Sequence, residues 1–178
     1  QNIAIGLSAL NNSSNTTGDN NIAIGAYSLD ATTSGYSNIA IGKGTAGALT
    51  TGYQNVAVGE GALGASDDSY HNVAVGYGSM GNSAAAAGSS NVAIGYRTME
   101  EVNDGFANTY VGPLAGGSEG FVSGDYNVGI GYQADKTRYA GDYNISIGYR
   151  SNEFHGIGGG SYSIAIGREA SVHYGRIA

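Results

Sequence analysis

The chain has 178 residues, with 32 glycines, one proline, no cysteine and no tryptophan, and it carries 14 acidic against 7 basic residues. This acidic balance, spread without a basic patch, argues against nucleic acid as a partner, and no run approaches the roughly 18 apolar residues of a membrane-spanning helix. The lack of cysteine excludes a disulfide framework, the spacing of glycine excludes collagen, and the regular return of Ile and Val argues against disorder.

A five-residue phrase, Asn-Ile-Ala-Ile-Gly, begins at Asn2 and returns with small changes along the whole chain. Its first residue is Asn in nine copies: Asn2, Asn21, Asn38, Asn55, Asn72, Asn91, Asn108, Asn127 and Asn144. Ser163 replaces it in the tenth copy, and successive copies lie 17 or 19 residues apart. This period is shorter than the roughly 30 residues of a βαβ unit and fits one coil of a β-solenoid. We therefore predict an all-β fold, a parallel β-roll or β-solenoid of about ten coils that forms one domain over residues 1–178.

Alternation within the phrase predicts a strand with two different faces. Ile3 and Ile5 point one way and Ala4 the other, and Ile or Val occupies nineteen of the twenty positions equivalent to Ile3 and Ile5. We predict that this bulky pair faces inward as the core. The opposite face carries small residues, and we predict that it packs against copies of the same chain in a homotrimer. The alternative is that a glycine-rich solenoid tolerates Ala at any position. These residues are Ala4, Ala23, Ala40, Ala57, Ala74, Ala93, Gly129, Ser146 and Ala165, with Tyr110 as the exception.

Glycines predict two corners in each repeat. One lies three residues before the phrase, as at Gly35 and Gly52, and the other ends the phrase, as at Gly42. Two corners predict two strands per coil, with apolar residues such as Leu29 and Met80 closing the core from the second strand. The first Asn of each phrase is predicted to stack on its equivalent one coil away, as polar ladders do.

Two features interrupt or bound the repeat. Residues 99–119, which include Tyr110 and Pro113, break the pattern and predict an irregular coil or a knob. Both chain ends fall within a repeat, from which we expect the sequence to be a segment of a longer fibre.

Tyrosines provide the best candidate ligand site. Tyr36, Tyr53 and Tyr70 share one repeat position, and Tyr126, Tyr143 and Tyr162 share the next one in later repeats. An exposed tyrosine offers an apolar face and a hydroxyl to a sugar ring, and repetition adds avidity. The alternative, which we favour, is that these rings pack on each other to cover a turn or to seal a seam between subunits.

Other motifs favour no chemistry. The glycines of 42–47 match a dinucleotide fingerprint but lack the helix and second strand that it needs. His71, His155 and His173 have no neighbouring ligands at metal spacing.

Asp125 and Asp142 stack at one repeat position and either share a cation or point into water near Lys136 and Arg138. Asp67 with Asp68, and Glu100 with Glu101, are adjacent and so point apart, unlike the carboxylate pair of a glycosidase. We therefore predict no enzyme activity, cofactor or metal site.

The string Gly-Tyr-Ser-Asn-Ile-Ala-Ile-Gly at 35–42, echoed at 52–59 and 141–148, resembles the YadA-like head of trimeric autotransporter adhesins. Similar repeats occur in bacteriophage tail fibres, and the longer coils of this chain look more like those. The resemblance implies a left-handed parallel β-roll assembled as a homotrimer, located on a virion tail fibre or a bacterial cell surface. It also implies attachment to a host-surface glycan or protein. The alternative is a structural spacer that holds a distal receptor-binding tip.

Overall fold

The structure is a computed structural model that describes residues 1–11, 17–82, 88–101, 105–117, 124–136, 141–152 and 160–171. Each copy of the phrase forms one three-residue strand. The strands are β1 (Ile3–Ile5), β2 (Ile22–Ile24), β3 (Ile39–Ile41), β4 (Val56–Val58), β5 (Val73–Val75), β6 (Val92–Ile94), β7 (Thr109–Val111), β8 (Val128–Ile130), β9 (Ile145–Ile147) and β10 (Ile164–Ile166).

The ten strands form one parallel sheet in sequence order, so the chain is a β-solenoid. Neighbouring strands pair in register, with Ala23 opposite Ala40 and Ala40 opposite Ala57. The register continues through β7, although this strand lies in the segment predicted to be irregular. Within that segment, residues 102–104 and 118–119 lie outside the described residues. The predicted all-β parallel solenoid is therefore confirmed.

An amide ladder runs along the solenoid, as the sequence predicts, with Nδ2 of Asn55 donating to Oδ1 of Asn38 at 3.0 Å. The structure places this ladder on the inside, where it is buried. The backbone N–H of Asn55 donates to Oδ1 of Asn38 at 3.0 Å. Nδ2 of Asn55 donates to the Ser69 carbonyl in the next repeat at 2.8 Å, and Oδ1 of Asn55 accepts the backbone N–H of Asn72 at 3.0 Å. Asn55 is almost fully buried. One side chain thus satisfies buried backbone groups in two directions, which ties each turn to the next.

The prediction of which side chains of each strand point inward is wrong. The alanines lie inside the chain's own coil: Ala23, Ala40, Ala74 and Ala93 are 0% exposed. Ala57, Gly129, Ser146 and Ala165 are also buried, and Ala4, in the first repeat, is exposed. The Ile and Val side chains face outward and are half-buried or exposed. Asn and the small residue are two positions apart and share a face, so the buried amide ladder brings the small residue inward with it. A surface inside the coil is closed to a second chain, so the eight buried positions are not the subunit interface that the sequence predicted.

The opposite side of each coil fills the interior with larger residues. Leu29, Leu63, Met80 and Met99 are fully buried and cluster with the alanines, which confirms their predicted place in the core. Leu49, which the sequence did not single out, is buried with them. This side is not a second regular strand in the part of the chain that the structure describes. Leu29, Leu63, Met80 and Met99 have positive φ, 51° at Leu29 and 52° at Leu63, which lies outside the β region. Backbone bonds still join successive repeats, as from Leu29 N–H to the Thr45 carbonyl at 3.1 Å.

Tyr110 is the single large side chain in the inward-facing column of β1 to β10. It is 1% exposed, and its ring occupies space that small residues leave free. A Cβ on Gly129, which follows it in the column, would overlap the ring, and a Cβ on Gly116 would lie 2.8 Å from it. The two departures from Ala in this column, Tyr110 and Gly129, are therefore one feature, a large residue and the gap that holds it.

We predict that Asn55→Ala lowers the free energy of unfolding by about 2 to 4 kcal/mol, since each buried group left without a partner costs roughly 1 to 3 kcal/mol. The Asn72 N–H and the Ser69 carbonyl both lose their bond to Asn55. Chemical denaturation measures the change. The control is Thr51→Ala, an exposed residue in the preceding turn, which should change stability by less than about 0.5 kcal/mol. Equal effects of the two substitutions would contradict the ladder's role.

The packing of Tyr110 against Gly129 predicts that their substitutions are strongly coupled. Gly129→Ala alone should destabilise the fold by about 1 to 3 kcal/mol through overpacking. In a Tyr110→Ala background the same methyl enters an empty cavity and should be neutral or stabilising. A double-mutant cycle by denaturation measures the coupling. Ala57→Gly, remote from the ring, is the control and should cost the same in both backgrounds.

Candidate interaction surfaces

The outward side chains of the ten strands form a continuous apolar face, which we call the Ile/Val face. It consists of the two outer columns of β1 to β10, in which Thr109 is the single polar member. In the middle of the solenoid Ile41 and Ile94 remain 38% and 39% exposed. These side chains would be expected in a core, so their exposure marks this face as the strongest candidate for an interaction surface.

The structure brings the two predicted tyrosine sets together as stacked columns. Tyr36 and Tyr53 stack with centroids 4.9 Å apart, and Tyr53 and Tyr70 at 5.0 Å, with planes within 5° of parallel. His71 packs edge-on against Tyr53 and Tyr70. Because stacking occupies the ring faces, the column offers mainly ring edges and hydroxyls along its length. This geometry supports the packing interpretation over sugar stacking on each ring.

The second predicted column has the same form. Tyr126 and Tyr143 stack at 4.9 Å, Tyr143 and Tyr162 stack at 5.1 Å, and Phe106 packs edge-on against Tyr126. Tyr162 is 79% exposed, so the ring at this end is the most accessible of the six.

A further set of aromatic pairs was missed by the sequence analysis. Tyr77 stacks on Tyr96 at 5.6 Å, and Tyr132 stacks on Tyr149 at 5.4 Å. Each of these residues directly follows the Gly that ends a phrase, and aligning the repeats at that position would have shown the pattern. Stacked aromatic side chains therefore occur in the sequence both shortly before and shortly after the strands.

Asp125 and Asp142 are placed by backbone hydrogen bonds. Oδ1 of Asp125 accepts the Phe106 N–H at 2.8 Å, and Oδ1 of Asp142 accepts the Asp125 N–H at 2.9 Å. Each carboxylate thus satisfies a turn amide of the preceding repeat, which accounts for its position without a cation. Among the described residues, no group of three or more His, Asp or Glu is arranged to hold a metal ion. His155, His173 and Arg138 lie outside the described residues.

The glycine fingerprint at 42–47 forms the corner after β3. Over the described residues no helix follows it, so the phosphate site of a dinucleotide fold has no counterpart there.

One titratable pair is buried in the interior. The Tyr110 hydroxyl donates to Oδ2 of Asp135 at 2.6 Å, and Nδ2 of Asn152 donates to Oδ1 at 2.9 Å. Burial raises the pKa of the Asp135 carboxyl above its ordinary value, and these hydrogen bonds oppose the shift without cancelling it. Burial, followed by the nearby Asp135 charge, also raises the pKa of the Tyr110 hydroxyl. The pair links two repeats from within, and its side chains are only 1% and 3% exposed.

Comparison with known proteins found no matching family model, no matching curated protein and no matching solved structure. The resemblance to YadA-like heads and phage fibre repeats therefore remains a prediction that rests on the repeated phrase. Within the described residues there is no helix long and apolar enough to cross a bilayer.

The raised pKa of Asp135 predicts that its contribution to stability falls as the pH rises. Below the ordinary value of 3.8 the carboxyl is neutral in the folded and the unfolded chain, and its contribution is fully present. As the pH rises through the folded pKa, the unfolded chain has already released this proton, so unfolding becomes more favourable. Denaturation across this window should show a loss of stability that Asp135→Asn reduces. The exposed control, Asp67→Asn, should leave the slope unchanged, and an unchanged slope in Asp135→Asn would contradict the assignment.

Proposed function

We propose that this chain is a non-enzymatic segment of a homotrimeric extracellular fibre that attaches a phage or a bacterium to a host surface. The observation that supports this most is the Ile/Val face on an elongated parallel solenoid. Nine steps of about 4.8 Å between strands give this face a length of roughly 43 Å. With a width of about 10 Å, its area is on the order of 400 Å², the size of the largest apolar patch on a typical monomer, which is often functional.

A further copy of this chain is the partner that fits the face best. Every copy carries the same face in the same register, and the spacing between its Ile and Val side chains repeats with the strands. Copies laid side by side can therefore bury this face along its whole length. Stacked tyrosines before and after the strands extend the apolar area. The number of three chains and the extracellular location come from the resemblance to YadA-like heads and tail fibres.

Attachment is the role that the resemblance implies for such a rod, through contacts to a host glycan or protein. The partners we propose are thus the chain itself and a host-surface molecule. A second candidate, a spacer that holds a distal tip, is favoured by the tyrosine columns, because their faces stack on each other at 4.9 to 5.1 Å.

We predict that polar substitutions on the Ile/Val face weaken self-association and leave the coil intact. Ile39→Thr, Val56→Thr and Val73→Thr place threonine where Thr109 stands in β7. Sedimentation should show trimers for the natural chain and smaller species for this triple variant, with unchanged circular dichroism. The control changes the exposed Asp67 and Asp68 to Thr and should remain trimeric. A natural chain that sediments as a monomer would overturn the proposed assembly.

Attachment itself is tested with the trimeric segment on two surfaces, lipopolysaccharide for the phage case and extracellular-matrix glycoproteins for the bacterial case. Binding to either one supports attachment. Failure to bind both, at concentrations where the trimer is intact, favours the spacer.

A further inference from the structure

A groove of about 390 Å³ crosses the repeats that contain β3, β4 and β5, on the corner that follows these strands. Its side-chain walls come from five successive repeats, those of β2 to β6, and combine rings, charges and an amide. They are Tyr27, Lys43, Glu60, Tyr77, Asn82 and Glu100. The groove is separate from the two tyrosine columns predicted from the sequence.

Missing side chains at one repeat position create the groove. The second residue after the phrase has φ between 50° and 65° throughout the described repeats, and in most of them it carries a side chain, such as Arg97 and Gln133. In three consecutive repeats it is Gly44, Gly61 or Gly78. A Cβ on Gly44 or Gly61 would meet nothing within 4 Å. The fold accepts side chains at this position elsewhere, so packing does not demand glycine here and the space is left open.

The walls carry ordered polar groups that face a common space. Oε1 of Glu100 accepts from Nδ2 of Asn82 at 3.2 Å, and Oε2 accepts from Nε of Arg97 at 2.5 Å. These bonds hold the carboxylate in place, and each oxygen keeps a further lone pair for a ligand hydroxyl. On the other wall Lys43 and Glu60 pair at 3.3 Å and are both exposed.

The charges of the groove balance, which decides the class of ligand. Lys43 pairs with Glu60 within the lining, and Glu100 pairs with Arg97, which lies beside the groove and outside its lining, so neither a phosphate nor a cation finds an unpaired opposite charge. The aromatic groups add an apolar component. Tyr27 is 46% exposed at one end, and Tyr77 is 55% exposed with Tyr96 on one of its faces. The other face of Tyr77 is on the side of the preceding repeat, which holds Glu60.

We propose that this groove binds a short neutral saccharide. Pyranose rings present hydroxyls that suit paired carboxylate, amide and ammonium groups, and apolar faces that suit tyrosine rings. The two steps of about 4.8 Å between its three glycines give a floor of roughly 10 Å, which accommodates about two rings. Single sites of this open shape bind weakly, and copies on a multimeric fibre add avidity. The inference rests on the proposed attachment role and assigns it a ligand class and a place.

The test uses the intact chain and a matched pair of substitutions. Gly61→Gln fills the groove with the residue that Gln133 already provides at the same repeat position, so the backbone tolerates it. Gln133→Gly is the reciprocal change outside the groove. The probes are immobilised neutral oligosaccharides of two to four pyranose units, with sialylated and phosphorylated analogues, and saturation-transfer NMR follows on the best neutral binder.

The expected result is binding of at least one neutral oligosaccharide, weakened tenfold or more by Gly61→Gln and by Tyr27→Ala, and unchanged by Gln133→Gly. Circular dichroism confirms that each variant is folded. The proposal is overturned if no neutral probe binds, if the charged analogues bind in its place, or if Gly61→Gln binds as well as the natural chain. If Gly61→Gln still attaches to lipopolysaccharide or matrix glycoprotein as the natural chain does, the groove is not the contact and the attachment role stands on another surface.

Discussion

The buried asparagine ladder is the constraint on which the rest of the structure depends. Its amides accept a backbone N–H from the next repeat and donate to a turn carbonyl there. Buried backbone groups need such partners, so the Asn side chain points inward in the repeats from Asn21 to Asn144. Because alternate residues of a strand share a face, this also places Ala inside and Ile or Val outside. A single polar requirement thus overrides the tendency of the larger aliphatic side chains to be buried.

The narrow interior follows from the same arrangement. Leucine and methionine from the opposite side fill the coil, which leaves room only for Ala in the strand. Where a larger residue takes the place of Ala in the strand, neighbouring positions carry glycine. Tyr110 takes the space freed by Gly116 and Gly129, and its hydroxyl finds a buried partner in Asp135. Close packing makes such compensation necessary, so one exceptional residue requires others in neighbouring repeats.

The sequence predicted the solenoid, the parallel stacking, the amide ladder and the tyrosine columns, because each of these depends on residues that recur at a fixed period. The prediction of which strand face is buried was wrong, because it gave the size of the Ile and Val side chains more weight than the alternation that places Asn and Ala on one face. The predicted ladder already implied that Asn and Ala share the buried face. The second side of the coil could not be predicted, because positive φ at residues such as Leu29 and Leu63 has no signal in residue type. The groove could be predicted only by comparing one position in successive repeats, because its three glycines, Gly44, Gly61 and Gly78, lie 17 residues apart along the chain.

The positions that differ most between repeats are those the ladder and the core leave free. The second residue after each phrase is Tyr27, Gly44, Arg97 or Gln133 in different repeats, while its backbone conformation stays the same. The residue that precedes each phrase is equally varied, from Ser37 to His71 to Tyr143, at nearly constant φ. A constant backbone with variable side chains presents a different chemical surface at each level of the rod. Recognition in such a fold is therefore expected at these corners, since substitution there leaves the amide ladder and the packed interior unchanged.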